Sequence, residues 1–245
     1  MRHILLKRIS FVRKLTTSAF KLPPLPEGVF FDWDGTILAF RESKFLWCFN
    51  QTLDELGYPK SMHMTSMKGS KSIYDSFYSR IDTIDGIDKA YSRFKKMFAS
   101  LQVTQDELMP GAQSLCDQLN SCQIPVGIIS NLDQYLLEKQ INELGLQSSF
   151  KVVIGSAQKP STAGLTRATK SLRLPVSKSL WYLGDSLSTD ILAANKAGFT
   201  SILVNESASL LDLPGSENIK PDVRYNNMNE VISILDTLKQ TRRSL

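Results

Sequence analysis

The chain has 245 residues, of which 42% are hydrophobic and 22% charged, an ordinary composition for one large globular domain or a domain with an insert. It has no run of about 18 apolar residues, so the sequence predicts no membrane-spanning helix. The net charge of +5 arises in residues 1–26, which hold six Lys or Arg residues and no acidic one, and the nearly neutral remainder does not support nucleic-acid binding.

The first element in chain order is a basic leader at residues 1–26. Its apolar residues recur at helical spacing between Arg and Lys residues, and several Ser and Thr residues follow them. This pattern is typical of a mitochondrial transit peptide, so the sequence predicts a mitochondrial protein from which the leader is removed. The alternative is a cytoplasmic protein whose uncleaved basic arm lies on an anionic surface or is disordered.

A short apolar run, GVFFD, predicts a buried strand that begins at Gly28 and stops at an Asp-Gly turn. Residues 40–105 have a different texture, because apolar residues recur there at helical spacing and no convincing strand is present. Three helices are expected in that stretch, near residues 45–57, 72–80 and 87–101. We therefore predict a small helical domain at 40–105, inserted into an α/β domain made of residues 27–39 and 106–245.

From Met109 onward the sequence alternates between helical stretches of about ten residues and short apolar strands. Five strands are expected in this part, at residues 124–130, 150–155, 180–185, 201–205 and 222–225. Helices between successive strands imply right-handed crossovers and a parallel sheet covered on both faces. The predicted fold class is α/β, a doubly wound parallel sheet with a small helical domain inserted.

Polar side chains follow four of the predicted strands. They are Asp32 and Asp34 after the first strand, Ser130 and Asn131 after the second, Lys159 after the third, and Asp185 and Asp190 after the fourth. Because the carboxyl ends of parallel strands meet at one edge of the sheet, these groups are expected to lie together. Neighbouring carboxylates repel one another without a cation, and their oxygens suit Mg²⁺. Lys159, with Ser130 and Asn131 at an expected helix start, suits phosphate oxygens, so the set indicates metal-assisted phosphoryl transfer.

In these motifs the chain resembles the haloacid dehalogenase (HAD) superfamily. The resemblance is to its phosphatase branch with a helical cap inserted after the first motif, as in phosphoglycolate phosphatase-like proteins. DWDGT at residues 32–36 resembles the first motif of the superfamily, and IIS ending at Ser130 resembles the second. Lys159 in QKPS resembles the third, and GDSLSTD at 184–190 the fourth. The match covers residues 28–235 and implies a Rossmann-like core.

The resemblance implies a role for each residue of the first motif. Asp32 would attack the phosphorus atom and become an aspartyl phosphate. Asp34 would protonate the leaving oxygen and then take a proton from the attacking water. Asp185, Asp32 and the backbone carbonyl of Asp34 would hold Mg²⁺. Gly35 would allow the sharp turn, and Thr36 would support it by a hydrogen bond.

The other motifs receive roles in the same way. Ser130 and the amide of Asn131 would bind the transferring phosphoryl group, and Lys159 would offset its charge. Asp190 would orient Lys159 or a metal-bound water. Trp33 departs from the smaller or non-indole residue common at its position, and the resemblance implies only that it packs outside the metal site.

The predicted function is Mg²⁺-dependent hydrolysis of small phosphate monoesters, because the second acid of the first motif favours an oxygen leaving group that needs a proton. The alternatives are a phosphomutase of the β-phosphoglucomutase type and a noncatalytic binding protein that retains the fold. The expected substrate is a small soluble phosphate ester, a phosphorylated acid or sugar such as phosphoglycolate. The sequence predicts no oligomeric state.

In capped relatives a loop between the cap helices carries substrate specificity. The candidate here is SMKGSKS at residues 66–72, in which Lys68, Gly69 and Lys71 could meet an anionic substrate. A second basic cluster at residues 93–96 is expected to be a solvated helix face.

Overall fold

The structure, a computed structural model, describes residues 22–60, 73–78, 80–204 and 215–243. Most of the predicted basic leader and the predicted specificity residues Lys68, Gly69 and Lys71 lie outside the described residues. In the part of the chain that is described, no helix is both long enough and apolar enough to cross a membrane.

The centre of the molecule is a parallel sheet, which contains six strands in the described part of the chain. The strands are β1 (Gly28–Phe31), β2 (Val126–Ile129), β3 (Val152–Ile154), β4 (Leu180–Gly184), β5 (Thr200–Val204) and β6 (Val223–Tyr225). Their order is β3-β2-β1-β4-β5-β6, and every pairing is parallel. Phe31 lies opposite Ile128 of β2 and Leu183 of β4, so the residues that follow these strands reach the same edge together. The predicted α/β fold with a parallel sheet is confirmed.

In the described part of the chain three helices lie between β1 and β2 and before residue 105, namely α1 (Glu42–Glu55), α2 (Ile73–Tyr78) and α3 (Ile84–Ser100). Their aromatic side chains pack together, with ring centroids 4.6 Å apart for Phe49 and Phe77 and 5.2 Å apart for Phe45 and Phe94. Helix α3 begins three residues earlier than expected, because the Thr83 side chain caps it by accepting from the N–H of Gly86 at 3.2 Å. The sequence thus located all three helices, while the domain boundaries at residues 40 and 105 stay a prediction.

The two segments that connect these helices to the sheet lie side by side. The N–H of Ala39 donates to the Glu107 carbonyl at 2.8 Å, and the N–H of Met109 donates to the Ile37 carbonyl at 2.9 Å. The Glu107 side chain adds an ion pair, with its Oε1 at 2.9 Å from Nε of Arg41. Entry and exit of the helical unit are therefore joined by main-chain and side-chain contacts.

Among the described residues, five further α-helices cover the two faces of the sheet: α4 (Ala112–Ser121), α5 (Gln134–Glu143), α6 (Ala163–Leu172), α7 (Leu192–Ala197) and α8 (Met228–Arg243). Alternate residues of β1 point to opposite faces, so Phe31 joins a core with α4, α5 and α8, while Phe30 joins a core with α6 and α7. A π-helical turn at Leu187–Ile191 precedes α7, and the Ser186 side chain caps this turn by accepting from the N–H of Thr189 at 3.3 Å. Asp190 therefore lies in this extra turn, two residues before α7 begins.

Candidate active site

The chain turns sharply after β1, and this turn carries Asp32 and Asp34. The N–H of Asp32 donates to the Leu183 carbonyl of β4 at 2.9 Å, which continues the pairing of the sheet to this residue. Gly35 has a φ of +80°, and a Cβ atom there would lie 2.3 Å from Oδ2 of Asp185. Only glycine combines this backbone conformation with so close an approach, so Gly35 lets the turn lie directly against Asp185 at the end of β4.

The main-chain carbonyl of Trp33 closes the turn. Its oxygen accepts hydrogen bonds from the N–H groups of Thr36 at 3.3 Å, Ile37 at 2.9 Å and Leu38 at 3.0 Å. Thr36 thus contributes a backbone hydrogen bond, whereas its buried hydroxyl has no hydrogen-bond partner among the described residues. The turn is therefore closed by three hydrogen bonds that all end on the carbonyl oxygen of Trp33.

Lys159 is the buried positive charge of the site, with 2% of its surface exposed. Its Nζ lies 2.6 Å from Oδ1 of Asp32, 2.5 Å from Oδ1 of Asp190 and 2.9 Å from the hydroxyl oxygen of Tyr182. Burial alone would lower the pKa of Lys159, but the Asp190 and Asp32 carboxylates raise it well above its ordinary value, so the lysine is charged.

Sequence reasoning missed Tyr182, which lies in β4. Its hydroxyl donates to the Ile129 carbonyl at 2.8 Å and lies 3.4 Å from Oδ1 of Asp190. A tyrosine within a buried strand needs a hydrogen-bond partner for its hydroxyl. The presence of a tyrosine in the apolar run LWYLG could therefore have indicated a polar contact there. Tyr182 therefore helps to fix Lys159 between the two carboxylates.

Ser130 and Asn131 lie in the loop between β2 and α5. The expectation that they stand at a helix start is wrong, because α5 begins at Gln134 and its cap is Asp133. The Asp133 carboxylate accepts from the N–H of Tyr135 at 3.1 Å, so it satisfies a free donor of the first helical turn. The helix start thus belongs to Asp133, two residues beyond Asn131.

This loop is tied to the loop that carries Lys159. The Asn131 side-chain amide donates to the Lys159 carbonyl at 3.1 Å, and its Oδ1 accepts from the Lys159 N–H at 2.7 Å. The buried Ser130 hydroxyl oxygen accepts from the Leu132 N–H at 3.1 Å. The Asn131 side chain is therefore used to position Lys159, and the part of Asn131 suited to a phosphate oxygen is its backbone amide.

The carboxyl groups of the site are crowded and mutually repelling. One oxygen each from Asp32, Asp185 and Asp190 lies within 4.8 Å of the others. Burial and then the Asp32 charge raise the pKa of Asp34 to about 7. The same two causes raise the pKa of Asp190 to about 6, and burial with the Asp190 and Asp32 charges raises that of Asp185 well above its ordinary value. A buried, oxygen-only set of this kind fits a hard divalent cation.

Asp190 differs from the other carboxylates, because both of its oxygens already have partners. Oδ1 lies against Lys159, and Oδ2 accepts from the Ser186 N–H at 3.1 Å. Asp32 and Asp185 are consequently better suited to hold a cation, whereas Asp190 is suited to hold Lys159.

The basic cluster at residues 93–96 was expected to be a solvated face, and that expectation is wrong for one member. Lys95 is only partly exposed, and its Nζ lies 2.8 Å from Oδ2 of Asp133, the cap of α5. Tyr91 donates to the same oxygen at 3.0 Å. Arg93 pairs with Glu55 at the exposed surface. The helical unit therefore contacts the core beside the loop of Ser130 and Asn131.

Comparison with known proteins adds an independent observation. A family model described as haloacid dehalogenase-like hydrolase matches residues 29–204. A phosphoglycolate phosphatase of Xanthomonas campestris pv. campestris is 28% identical over 185 residues, which cover 72% of this chain and 82% of that protein.

Solved structures share the fold. A predicted phosphoglycolate phosphatase from Haemophilus somnus 129pt has a TM-score of 0.72 and 17% identity, over 85% of this chain and 97% of that one. A β-phosphoglucomutase from Clostridium difficile has a TM-score of 0.67 and 15% identity, over 89% of this chain and 99% of that one. At 17% and 15% identity, these similarities show a shared fold only.

Proposed function

This chain belongs to the haloacid dehalogenase-like hydrolase family and is a phosphatase, and from that premise we propose that it hydrolyses small phosphate monoesters through an aspartyl phosphate on Asp32, with Mg²⁺ as cofactor. The observation that carries the proposal is the 2.6 Å contact between Oδ1 of Asp32 and the buried ammonium of Lys159. That charge lies where an anionic phosphoryl group must approach an anionic nucleophile, and it reduces their repulsion.

In the first step a carboxylate oxygen of Asp32 attacks phosphorus, and the bond from phosphorus to the ester oxygen breaks. Asp34 gives its proton to the leaving oxygen. Its pKa, raised to about 7 by burial and by Asp32, leaves an appreciable protonated fraction near neutral pH. In the second step Asp34 takes a proton from water, which attacks the aspartyl phosphate, so that orthophosphate leaves and Asp32 is restored.

The remaining residues bind and orient. The Ser130 hydroxyl and the Asn131 backbone amide would hold the oxygens of the transferring phosphoryl group. Asp32, Asp185 and the main-chain carbonyl of Asp34 would hold Mg²⁺, which when bound would supply positive charge to the phosphate oxygens. Asp190 and Tyr182 keep Lys159 in place through the contacts described above.

For the substrate we propose a small phosphorylated acid such as phosphoglycolate, in keeping with the name of the Xanthomonas campestris relative. The test is a panel of phosphate esters with Mg²⁺, in which release of orthophosphate is measured for the unaltered chain and for Asp32→Asn. We expect hydrolysis by the unaltered chain and a loss of at least about a thousandfold in the variant, because the nucleophile is gone. Asp54→Asn, on the exposed surface of α1, is the matched control and should leave the rate unchanged.

Two outcomes would decide against the proposal. If phosphate from a sugar phosphate appears on an isomeric sugar instead of free in solution, the chain is a phosphomutase, the activity named for the Clostridium difficile protein of similar fold. If neither hydrolysis nor transfer occurs on any ester, the chain is a binding protein.

A further inference from the structure

Trp33 and Gln140 form a buried hydrogen bond between the turn after β1 and helix α5. Trp33 is 0% exposed and Gln140 is 5% exposed. The indole Nε1 donates to Oε1 of Gln140 at 2.7 Å, across 107 residues of sequence. Gln140 lies between the buried Leu137 and Ile141, where an amide is costly unless it is paired. The indole N–H of Trp33 therefore provides a hydrogen-bond partner for the Gln140 amide, which would be costly to bury unpaired.

The same tryptophan stands between the two predicted catalytic carboxyl groups. Its backbone joins Asp32 to Asp34, and its carbonyl oxygen receives the hydrogen bonds that close the turn. Its ring meets that of Phe150 edge-on, with centroids 6.3 Å apart. A ring held by an apolar contact and by one directional hydrogen bond has little freedom to rotate, so the peptide that bears it is fixed as well.

We propose that Gln140, through Trp33, is a positioning residue that sets the orientation of Asp32 relative to Asp34. The inference rests on the proposed function, in which these two groups act on the same phosphoryl group. Small displacements of reacting groups lower rates even when binding is retained, so loss of the anchor should act on kcat. Neither Trp33 nor Gln140 needs to touch the substrate for this effect.

Two substitutions at one position separate orientation from stability. Gln140→Leu removes the acceptor and leaves the indole N–H without a partner, and Gln140→Glu keeps an oxygen acceptor but buries a carboxyl group. We expect Gln140→Leu to lower kcat about tenfold with KM within about twofold, as for a loss confined to the transition state. Gln140→Glu should keep kcat within about threefold of the unaltered chain although its Tm falls, because the acceptor remains.

Thr169→Val is the matched control, since it removes a buried hydroxyl that donates to Thr166 within α6. It should lower Tm and leave kcat unchanged. The inference is overturned if kcat follows Tm across the three variants, or if Gln140→Leu retains the full kcat.

A measurement without substrate keeps this inference separate from the proposed function. The indole N–H resonance that disappears in Trp33→Phe identifies Trp33 by NMR. It should be slow to exchange in the unaltered chain and in Gln140→Glu, and it should shift and exchange faster in Gln140→Leu. If the unaltered chain hydrolyses no ester, the proposed function fails; if the resonance is indifferent to Gln140, the anchor itself is refuted.

Discussion

Asp32 and Asp34 lie in the same turn but have different surroundings, which suit them to different roles. The turn places the Asp34 carboxyl group where burial and the Asp32 charge favour the protonated form, with a pKa raised to about 7. Asp32 instead has the Lys159 ammonium at 2.6 Å. The sequence DWDGT reveals the two acids but not their surroundings, since Lys159 lies 127 positions beyond Asp32 along the chain.

At this scale we predict that the effect of Asp34→Asn depends on the leaving group. An alkyl phosphate needs a proton on its leaving oxygen, so its kcat should fall about 10²- to 10⁴-fold, whereas p-nitrophenyl phosphate, which leaves without a proton, should lose far less. Steady-state rates on the two esters measure the difference. Equal losses on both would show that Asp34 is not the proton donor.

The pH dependence of kcat/KM is a second test of Asp34 as the proton donor. A general acid works only while protonated, so kcat/KM for the alkyl ester should fall as pH rises through about 7, the raised pKa of Asp34. A bound cation favours the carboxylate and would move this limb to lower pH. The limb should be missing in Asp34→Asn.

At the scale of elements, the sequence identified the strands well because their apolar runs end in chemically distinctive residues. GVFFD predicted β1 and its turn, and LWYLGD predicted β4 and the approach of Asp185. The strand order of the sheet could not be predicted, since each run carries information about its own burial and none about its neighbours. The π-helical turn at Leu187–Ile191 was missed for a related reason, because it depends on Lys159 and Ser186 holding Asp190.

The sequence also could not predict polar contacts between residues that are far apart along the chain. Trp33 was expected only to pack, and nothing in its local pattern points to Gln140 on α5. Lys95 was expected to be solvated because charged residues on helices usually are, and its partner Asp133 lies 38 residues further along the chain. Both contacts end on α5, so this helix connects the catalytic turn to the helical unit.

The contact between Lys95 and Asp133 leads to a testable prediction about the helical unit. Asp133 keeps a pKa below its ordinary value because Lys95 and Tyr91 outweigh its burial, so it is ionised at neutral pH. Partly exposed ion pairs contribute about 0–1 kcal/mol, so Lys95→Met should change Tm little while raising KM by up to about fivefold as the helical unit loses its hold beside Ser130.

The control is Lys96→Met, an exposed neighbour on the same helix. KM should be measured at low and at high salt, and the effect of Lys95→Met should shrink at high salt, where the ion pair is screened. A KM that rises equally in both variants would exclude a specific role for the contact with Asp133.

For the whole molecule, the crowded carboxyl groups link stability to pH and to a cation. Asp34, Asp185 and Asp190 have folded-state pKa values raised above the ordinary 3.8. The folded chain therefore binds more protons there than the unfolded chain, and these groups lower the free energy of unfolding as pH rises from about 4 through their folded pKa values. A divalent cation in place of those protons would offset the loss.

We therefore predict that saturating Mg²⁺ raises Tm by more at about pH 7.5 than at about pH 5.5, because protons compete with the cation at the lower pH. Thermal unfolding at both pH values, with and without Mg²⁺, measures this. Asp185→Asn should reduce the Mg²⁺ effect at both. A rise in Tm that is independent of pH would place the bound cation elsewhere.

The mitochondrial leader at residues 1–26 stays a prediction, and its first 21 residues lie outside those that the structure describes. Residues 1–26 hold six Lys or Arg residues and no acidic one, so the pI near 9.0 arises from this segment. The rest of the chain is near neutral.

The paired connections at Ile37–Ala39 and Glu107–Met109 bear on how such an enzyme can diversify. The outgoing and returning segments are hydrogen-bonded to each other, so the chain leaves and re-enters the sheet domain at neighbouring positions. Insertions, deletions or wholesale exchange between these segments need not disturb Asp32, Lys159 or Asp185. If the helical unit carries selectivity, as the sequence predicts, selectivity could change in evolution while the residues of the turn and the strand ends are kept.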